Sequence, residues 1–359
     1  MKLELLEKLI TSLKDSPELT DKKDRMIIDK IEKFILQSGA KQLYKINANE
    51  LSQTFNVSAK ELLRIMLYFS AQGIFNISYD IQCPDCKLIT SEYNSLSEII
   101  QETHCPQCGI DVDVDFGKSA FITFVINDKI LSMDMGEMFA EKNSELVASR
   151  RTGNLIDYPT VLQALSLWEY HELYPSEIIS STGVFPIENL TVLSVRINAF
   201  ESILLKNDDM TILEILREFQ NEVSEAVKLN SGKMVKVFCS HIIAIFHSPK
   251  DAVKAAFTLN NSVPKTNEKK PLLICTGIHN GPALCYSIGG NMDFFGKTIH
   301  YADQLSHICE GRHITISETI RNDEECIAEI MNITHKLKHA KIELEGCSGL
   351  QDIYLAEIH

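Results

Sequence analysis

The chain has 359 residues, so two or three domains are expected. Its net charge of −14 argues against a protein that grips nucleic acid mainly through phosphates. Hydrophobic content of 45% suits globular cores, no apolar run is long enough for a membrane span, and a cytoplasmic chain is expected.

The first 37 residues predict one or two amphipathic helices. Leu5, Leu6, Leu9 and Ile10 fall at helical spacing, as do Ile27, Ile28, Ile31 and Ile35. Asp15-Ser16-Pro17 separates the two runs. The acids within the first run read as an amphipathic helix and not as a signal peptide.

Residues 42–80 have a winged-helix rhythm. A short strand, Leu43–Ile46, precedes a helix that Asn residues can cap from Asn47 on. Ser58-Ala59-Lys60-Glu61 is a capping-box pattern that opens a second helix, Glu61–Gln72, closed by Gly73. Ile74–Ile81 alternates as a strand. That second helix offers Lys60 and Arg64, then Met66, Leu67, Tyr68 and Phe69, a poor surface for DNA. Residues 1–82 carry 12 Lys and Arg against 11 Asp and Glu. A structural or partner-binding role is therefore favoured over DNA reading.

Cys83-Pro84-Asp85-Cys86 and Cys105-Pro106-Gln107-Cys108 stand 18 residues apart. Each knuckle presents two thiolates, and two knuckles supply the tetrahedral shell that Zn²⁺ prefers. A closed four-thiolate shell predicts structural zinc, so His104 is not needed as a ligand. The other six cysteines are irregularly spaced, mostly in apolar runs, and are read as reduced.

Residues 111–132 read as strands. Pro159–Glu172 looks helical, with Leu162, Leu165 and Leu167. Ser180-Ser181-Thr182-Gly183 reads as a linker. Beyond it, Ile212–Leu229 is a long amphipathic helix. Met234–Val237 and Ile242–Phe246 form a hairpin, and Asp251–Asn260 is helical. Leu272–His279 and Ala283–Ile288 are strands around His279-Asn280-Gly281-Pro282. Thr298–Cys309 is helical, His313–Ser317 is a strand, and Lys341–Ile358 is a strand pair. The order fits a β-α-β-β-α-β core and an α+β class. Expected domains are 1–82, 83–132, a coupling region or linker at 133–185, and 186–359.

The last domain resembles the catalytic domain of class III nucleotide cyclases. The matching runs include Val192-Leu193 to Phe200, Gly232 to Phe246, Gly277-Ile278-His279-Asn280-Gly281, Asp293 to His300, and Gly311 to Ser317. Residues 42–185 are similar to a zinc-containing domain that precedes such cyclases in some bacteria. They share Cys83-Pro84-x-Cys86, Cys105-x-x-Cys108-Gly109 and Asp115-Phe116, and Leu167–Glu177 resembles the lead-in to the cyclase.

The resemblance implies a ferredoxin-like domain that pairs head to tail, with the active site between partners. It puts the first metal aspartate at Arg196 and the second at Ser240. The purine-reading Lys and Asp fall on Lys236 and Asp293. The transition-state Asn and Arg fall on His300 and Gln304. The two retained residues suit ATP. If each of the four losses costs roughly 3 kcal/mol, together they remove about 12 kcal/mol of transition-state stabilisation.

The expected protein is therefore a degenerate cyclase that acts by nucleotide binding, regulation or dimerisation. It would pair with itself or with another cyclase-domain protein. Arg196 is expected to take the place of the metal against the triphosphate. Plainer readings stand beside these. Lys236 also reads as a surface lysine, Asp293 as a turn cap, and Arg196 as the partner of a nearby acid. One alternative is an active adenylate cyclase using other groups with Mg²⁺ or Mn²⁺. The other is a nucleic-acid-binding regulator.

Overall fold

The computed structural model describes every residue except 20, 132–156, 181–182, 262–271, 290, 310–312, 335 and 358–359. The first part of the expected coupling region and the middle of the Ser180–Gly183 linker lie outside the described residues. Among those described, no helix is long and apolar enough to cross a membrane. The chain divides into two units. One holds Met1–Leu165, Glu169–Phe185 and Tyr286–Met292; the other holds Ser166–Trp168, Pro186–Cys285 and Asp293–His359.

In the first unit, α1 (Leu3–Lys14) buries Leu6, Ile10 and Leu13. The second helix, α2 (Lys22–Gln37), buries Ile27, Ile28, Ile31 and Ile35, four positions on one helical face. Asp21 caps it by accepting from Lys23 N at 3.1 Å. Next comes α3 (Ala48–Phe55), where Asn47 accepts from the backbone N–H of Asn49 and Glu50. Asn56 ends α3 in the left-handed region at φ 50°. Then α4 (Ala59–Ala71) leads into β1 (Phe75–Gln82).

Two local expectations fail here. No strand forms over Leu43–Ile46; a 3₁₀ turn runs Ala40–Leu43 and only Ile46 bridges, to Phe124. Lys45 explains this, because it adopts φ 54° and breaks the extended run. Its ammonium is buried against Asp80 and the Ser78 hydroxyl. The capping box at Ser58 does not close either, for Ser58 makes no side-chain cap. Glu61 instead pairs with Lys23, 2.5 Å away.

The strands β2 (Ile89–Tyr93) and β5 (Ala120–Ile126) flank β1 in an antiparallel sheet ordered β2-β1-β5. A separate hairpin pairs β3 (Glu102–Cys105) with β4 (Ile110–Asp113). Short helices follow: α5 (Asp128–Leu131), α6 (Val161–Leu165) and α7 (Trp168–Leu173). The expected helix over Pro159–Glu172 is thus two pieces.

Glu169 on α7 is buried, and its Oε2 receives no hydrogen bond. Its other oxygen lies 3.9 Å from Arg64 Nε, but Arg64 is shared with Asp24. Burial raises the Glu169 pKa above the usual carboxylate range, against the opposing pull of Arg64. An acid shifted this way binds its proton more tightly when folded, so its cost appears as pH rises. Glu169→Gln is expected to raise the melting temperature at pH 8. The gain should vanish below about pH 4, where both states are protonated. A gain equal at both pH values would contradict this cause.

In the second unit, β6 (Val184–Ile197, part of this unit from Pro186) leads through α8 (Phe200–Lys206) and α9 (Asp209–Leu229) to the hairpin β7 (Lys233–Phe238) and β8 (His241–Phe246). Then come α10 (Pro249–Asn261), β9 (Ile274–Ile288), β10 (Asn291–Phe295) and α11 (Lys297–Ile308). The tail adds β11 (His313–Ser317), α12 (Glu318–Arg321), α13 (Glu324–Ile333), β12 (Leu337–Glu343) and β13 (Leu350–Glu357). The sheet order is β12-β13-β11-β9-β6-β8-β7, with β10 beside β9. The run β6-α-β7-β8-α10-β9 is the expected β-α-β-β-α-β order.

The two strands expected around His279–Pro282 are one, since β9 continues through that segment. Three side-chain bonds hold the segment extended. Asn280 Nδ2 donates to Thr191 Oγ1 at 2.9 Å, Thr319 Oγ1 to Asn280 O at 3.1 Å, and Thr298 Oγ1 to Pro282 O at 2.6 Å. These tertiary contacts override the turn preference of Asn-Gly-Pro.

One face of the sheet carries the main core. Val195, Ile197, Ala244, Phe246, Ile278 and Ile316 pack there with Phe219, Val223, Ala252 and Ala256. The opposite face carries α11. A Cβ at Gly277 would lie 2.3 Å from Ala302 O and 2.4 Å from Ser306 N. Gly277→Ala is therefore expected to push α11 off β9 and destabilise this unit by about 3 kcal/mol, read by urea unfolding. An unchanged midpoint would mean that α11 is not held this close.

Candidate functional site

Two groups of residues offer chemistry, one in each unit. In the first, Cys83, Cys86, Cys105 and Cys108 bring their sulfurs within 4.8 Å of one another. Cys83 and Cys108 Sγ are 3.9 Å apart, and Cys86 and Cys105 Sγ are 3.5 Å apart. Four thiolates at about 2.3 Å from a central zinc would sit about 3.8 Å from each other, so the spacing fits.

The two knuckles share one backbone device. Lys87 N donates to Cys83 O at 3.0 Å, and Gly109 N donates to Cys105 O at 2.8 Å. The donor residue is left-handed in both, at φ 61° for Lys87 and 66° for Gly109. Glycine takes this conformation freely. Shared hydrogen bonding from Cys86, with burial behind it, pushes the Cys108 thiol up to about 12. Burial opposes ionisation at Cys105, yet the backbone N–H of Cys108 and Gln107 bring it down to about 7. Thiols this close resist joint ionisation unless a cation sits among them. His104 turns aside to Asp111, 2.8 Å away.

In the second unit the sheet gathers the other expected residues. Lys236 on β7 and Asp293 on β10 come together, with Lys236 Nζ 2.7 Å from Asp293 Oδ2. Asp293 Oδ1 accepts from Phe294 N at 2.7 Å. Arg196 on β6 stands opposite His241 on β8 in the ladder. Ser240 sits in the β7–β8 turn, where its carbonyl accepts from Ile197 N at 2.9 Å. Cys239, just before it, is left-handed at φ 45°.

His300 is exposed on α11 and still has a partner. Its Nε2 lies 2.8 Å from Glu345 O, in the loop between β12 and β13. The left-handed Gly346, at φ 78°, leaves room for this, since a Cβ there would come within 3.0 Å of the ring. Gln304 follows one turn further along α11, partly buried.

A cluster that sequence reading did not assemble lies beside Arg196; that reading considers His241 alone, next to Ser240, and finds it no substitute for two metals. His241 Nε2 hydrogen-bonds the buried Ser194 hydroxyl at 2.9 Å, and Ser194 donates to Ser306 Oγ at 3.0 Å. The same Nε2 is 3.0 Å from Asp303 Oδ1, and His307 Nδ1 is 3.7 Å from that oxygen. Burial works against ionisation of Asp303, but His241, His307 and Arg196 hold its carboxyl below the usual range. This is no Ser-His-Asp relay, because Ser194 and Asp303 face the same ring nitrogen. No sequence signal joins His241 to Asp303, which sit 62 positions apart.

Residues 184–355 match the family described as adenylate and guanylate cyclase catalytic domain. That match spans just under half of the chain. Residues 9–138 match a family of unknown function, DUF5939. No curated protein matches the chain. Among solved structures, the catalytic core of a rhodopsin-guanylyl cyclase in complex with ATPalphaS is similar at 18% identity, covering 49% of this chain and 99% of that one, with a TM-score of 0.42. The guanylate cyclase domain of RhGC from Catenaria anguillulae is 17% identical over 48% of this chain and 98% of that one, with a TM-score of 0.42. The adenylyl cyclase CyaB from P. aeruginosa is 20% identical over 49% and 97%, with a TM-score of 0.39.

Proposed function

We propose that residues 186–359 are a degenerate class III cyclase domain that binds ATP and signals through pairing. Its partner would be a second copy, head to tail, or another cyclase-domain protein. Residues 83–132 would hold one structural zinc, ahead of a coupling region at 133–185. The winged-helix-like segment would serve structure or partner binding.

The observation that carries this reading is the Lys236–Asp293 pair, 2.7 Å apart, beside a sheet with no carboxylate at Arg196 or Ser240. A lysine donor and a carboxylate acceptor held this close can address a ring nitrogen and the exocyclic amine of adenine. Cyclisation itself needs the ribose 3′-hydroxyl to attack the α-phosphate and expel pyrophosphate. Two metal ions normally activate that hydroxyl and neutralise the phosphate oxygens. Arg196 supplies positive charge but cannot lower the pKa of the hydroxyl as a bound ion does. His300 is engaged by Glu345 O, which weakens it as a stand-in for the transition-state Asn. Exposed Val237, Phe238 and Phe295 near the pair support an apolar contact surface for a partner domain.

The test is to incubate purified protein with ATP and either Mg²⁺ or Mn²⁺. Cyclic AMP is assayed and ATP binding measured by calorimetry on the same sample. Binding without product is expected. Product above a control lacking 186–359 would overturn the degenerate reading and favour an active adenylate cyclase. Neither binding nor product would remove the nucleotide from the proposal.

A further inference from the structure

We propose that the two Cys-x-x-Cys knuckles work as a metal-dependent clamp on the chain that becomes β6. With an ion in place, the loop that the knuckles close holds residues 177–180 and 183–184; without it, that stretch is released. The proposal rests on the four-cysteine group holding zinc, and it gives the ion a task beyond local folding.

The grip is made by the loop between the knuckles. Cys86 and Cys105 enclose 18 residues, and one ion bound by both knuckles closes them into a ring. Within that ring, Ser95 and Leu96 hold Glu177. Its Oε2 accepts from Ser95 Oγ at 3.0 Å and from Leu96 N at 2.8 Å. Both donors meet a carboxylate, so both bonds are charge-assisted. Gln101 lies shortly before Cys105 and donates from Nε2 to Val184 O at 2.9 Å. The Gln101 carbonyl accepts from Val114 N at 2.8 Å, just past β4, which ties this contact to the hairpin of the second knuckle.

Both flanks of the gripped stretch are anchored elsewhere. Beyond it, Phe185 stacks on Phe116 with ring centroids 4.4 Å apart. Phe116 stands outside the ring, and its carbonyl accepts from Leu162 N at 2.8 Å. Before it, Tyr170 of α7 shares a hydrogen bond of 2.5 Å with Tyr79 of β1. Tyr174 Oη donates to Leu67 O of α4 at 2.9 Å. Metal binding here is coupled to folding of the ring, so losing the ion removes the holds on Glu177 and Val184 and spares the flanks. Val184 is the first residue of β6, the strand that carries Arg196 near its other end. The state of the metal therefore reaches that strand through its first residue.

The test is digestion of the full chain by a glutamate-specific protease, before and after a chelator removes the zinc, with cuts located by mass spectrometry. Such a protease must take the Glu177 side chain, which the clamp occupies. Cleavage after Glu177 is expected to speed up about tenfold without zinc, while cleavage after Glu169 on α7 stays slow. With zinc in place, Gln101→Ala should speed the same cut about threefold. Gln101 is exposed, so this variant keeps the fold. Zinc held, with cleavage after Glu177 unchanged on its removal, would overturn the clamp and leave the metal site standing. Equal acceleration after Glu169 would overturn it too, since the ion would then hold the whole unit. Protein that takes up no zinc at the four cysteines would overturn the clamp together with the metal reading.

Discussion

Removing the metal from the Cys83–Cys86–Cys105–Cys108 group is expected to unfold residues 83–113 while β1 and β5 stay protected. The reason is the size of the local core. Its buried members are Cys83, Cys105 and Val112, with Cys86, Leu88 and Ile110 packed against them. Half of that cluster is ligand. The paired strands β3 and β4 have four residues each, too few to be stable alone. Zinc binding in comparable small domains contributes about 10–16 kcal/mol to folding, far above any other local term. Purified protein should hold one zinc per chain at this group. Chelation, or Cys83→Ser, should erase amide exchange protection across 83–113. Protection that survives complete metal removal would refute a structural role for the ion.

ATP affinity is expected to change less than threefold when Mg²⁺ is omitted, and to fall at least tenfold in Arg196→Ala. In the resembled family the triphosphate is neutralised by metal ions on two aspartates. On the proposed correspondence, the guanidinium of Arg196 stands at the first of those positions. It carries a permanent charge and a planar fork of donors that matches phosphate oxygens. Omitting Mg²⁺, and not adding a chelator, leaves the thiolate-bound zinc in place. A tenfold loss corresponds to about 1.4 kcal/mol, a modest demand on one charged contact. Lys236→Ala should reduce adenine preference over guanine without restoring any metal dependence. If ATP binding disappears with Mg²⁺, Arg196 is not the substitute for the metal.

Much of the framework could be read from residue pattern. The apolar spacing at Ile27, Ile28, Ile31 and Ile35 identified α2 because one helix face had to be buried. The twin Cys-Pro-x-Cys knuckles pointed to four thiols that the fold does bring together, a group that could hold a metal. The misreadings arose where tertiary contact outweighed local preference. Asn280-Gly281-Pro282 separates two expected strands, yet Thr191, Thr298 and Thr319 keep it in the sheet. Lys45 sits in an apolar-looking stretch, but its left-handed backbone and buried ion pair end the expected strand. Glu61 matches a capping box, but Lys23 from α2 claims it. The Ser194, His241 and Asp303 cluster had no signal at all, because its members meet only after β6, β8 and α11 are assembled.

The sheet of the second unit ends differently on its two sides. On β12, Lys338 and Lys341 are exposed, and Lys338 pairs with Glu357 of the neighbouring strand. Charges placed along a terminal strand deter another chain from extending the sheet. On β7, Lys233 and Lys236 are half-buried, with Lys236 turned to Asp293, and exposed Val237 and Phe238 accompany the open edge. Self-association through strand addition, if concentration drives it, should therefore begin at β7. A lysine at Val237 would be the economical way to keep concentrated stocks clear.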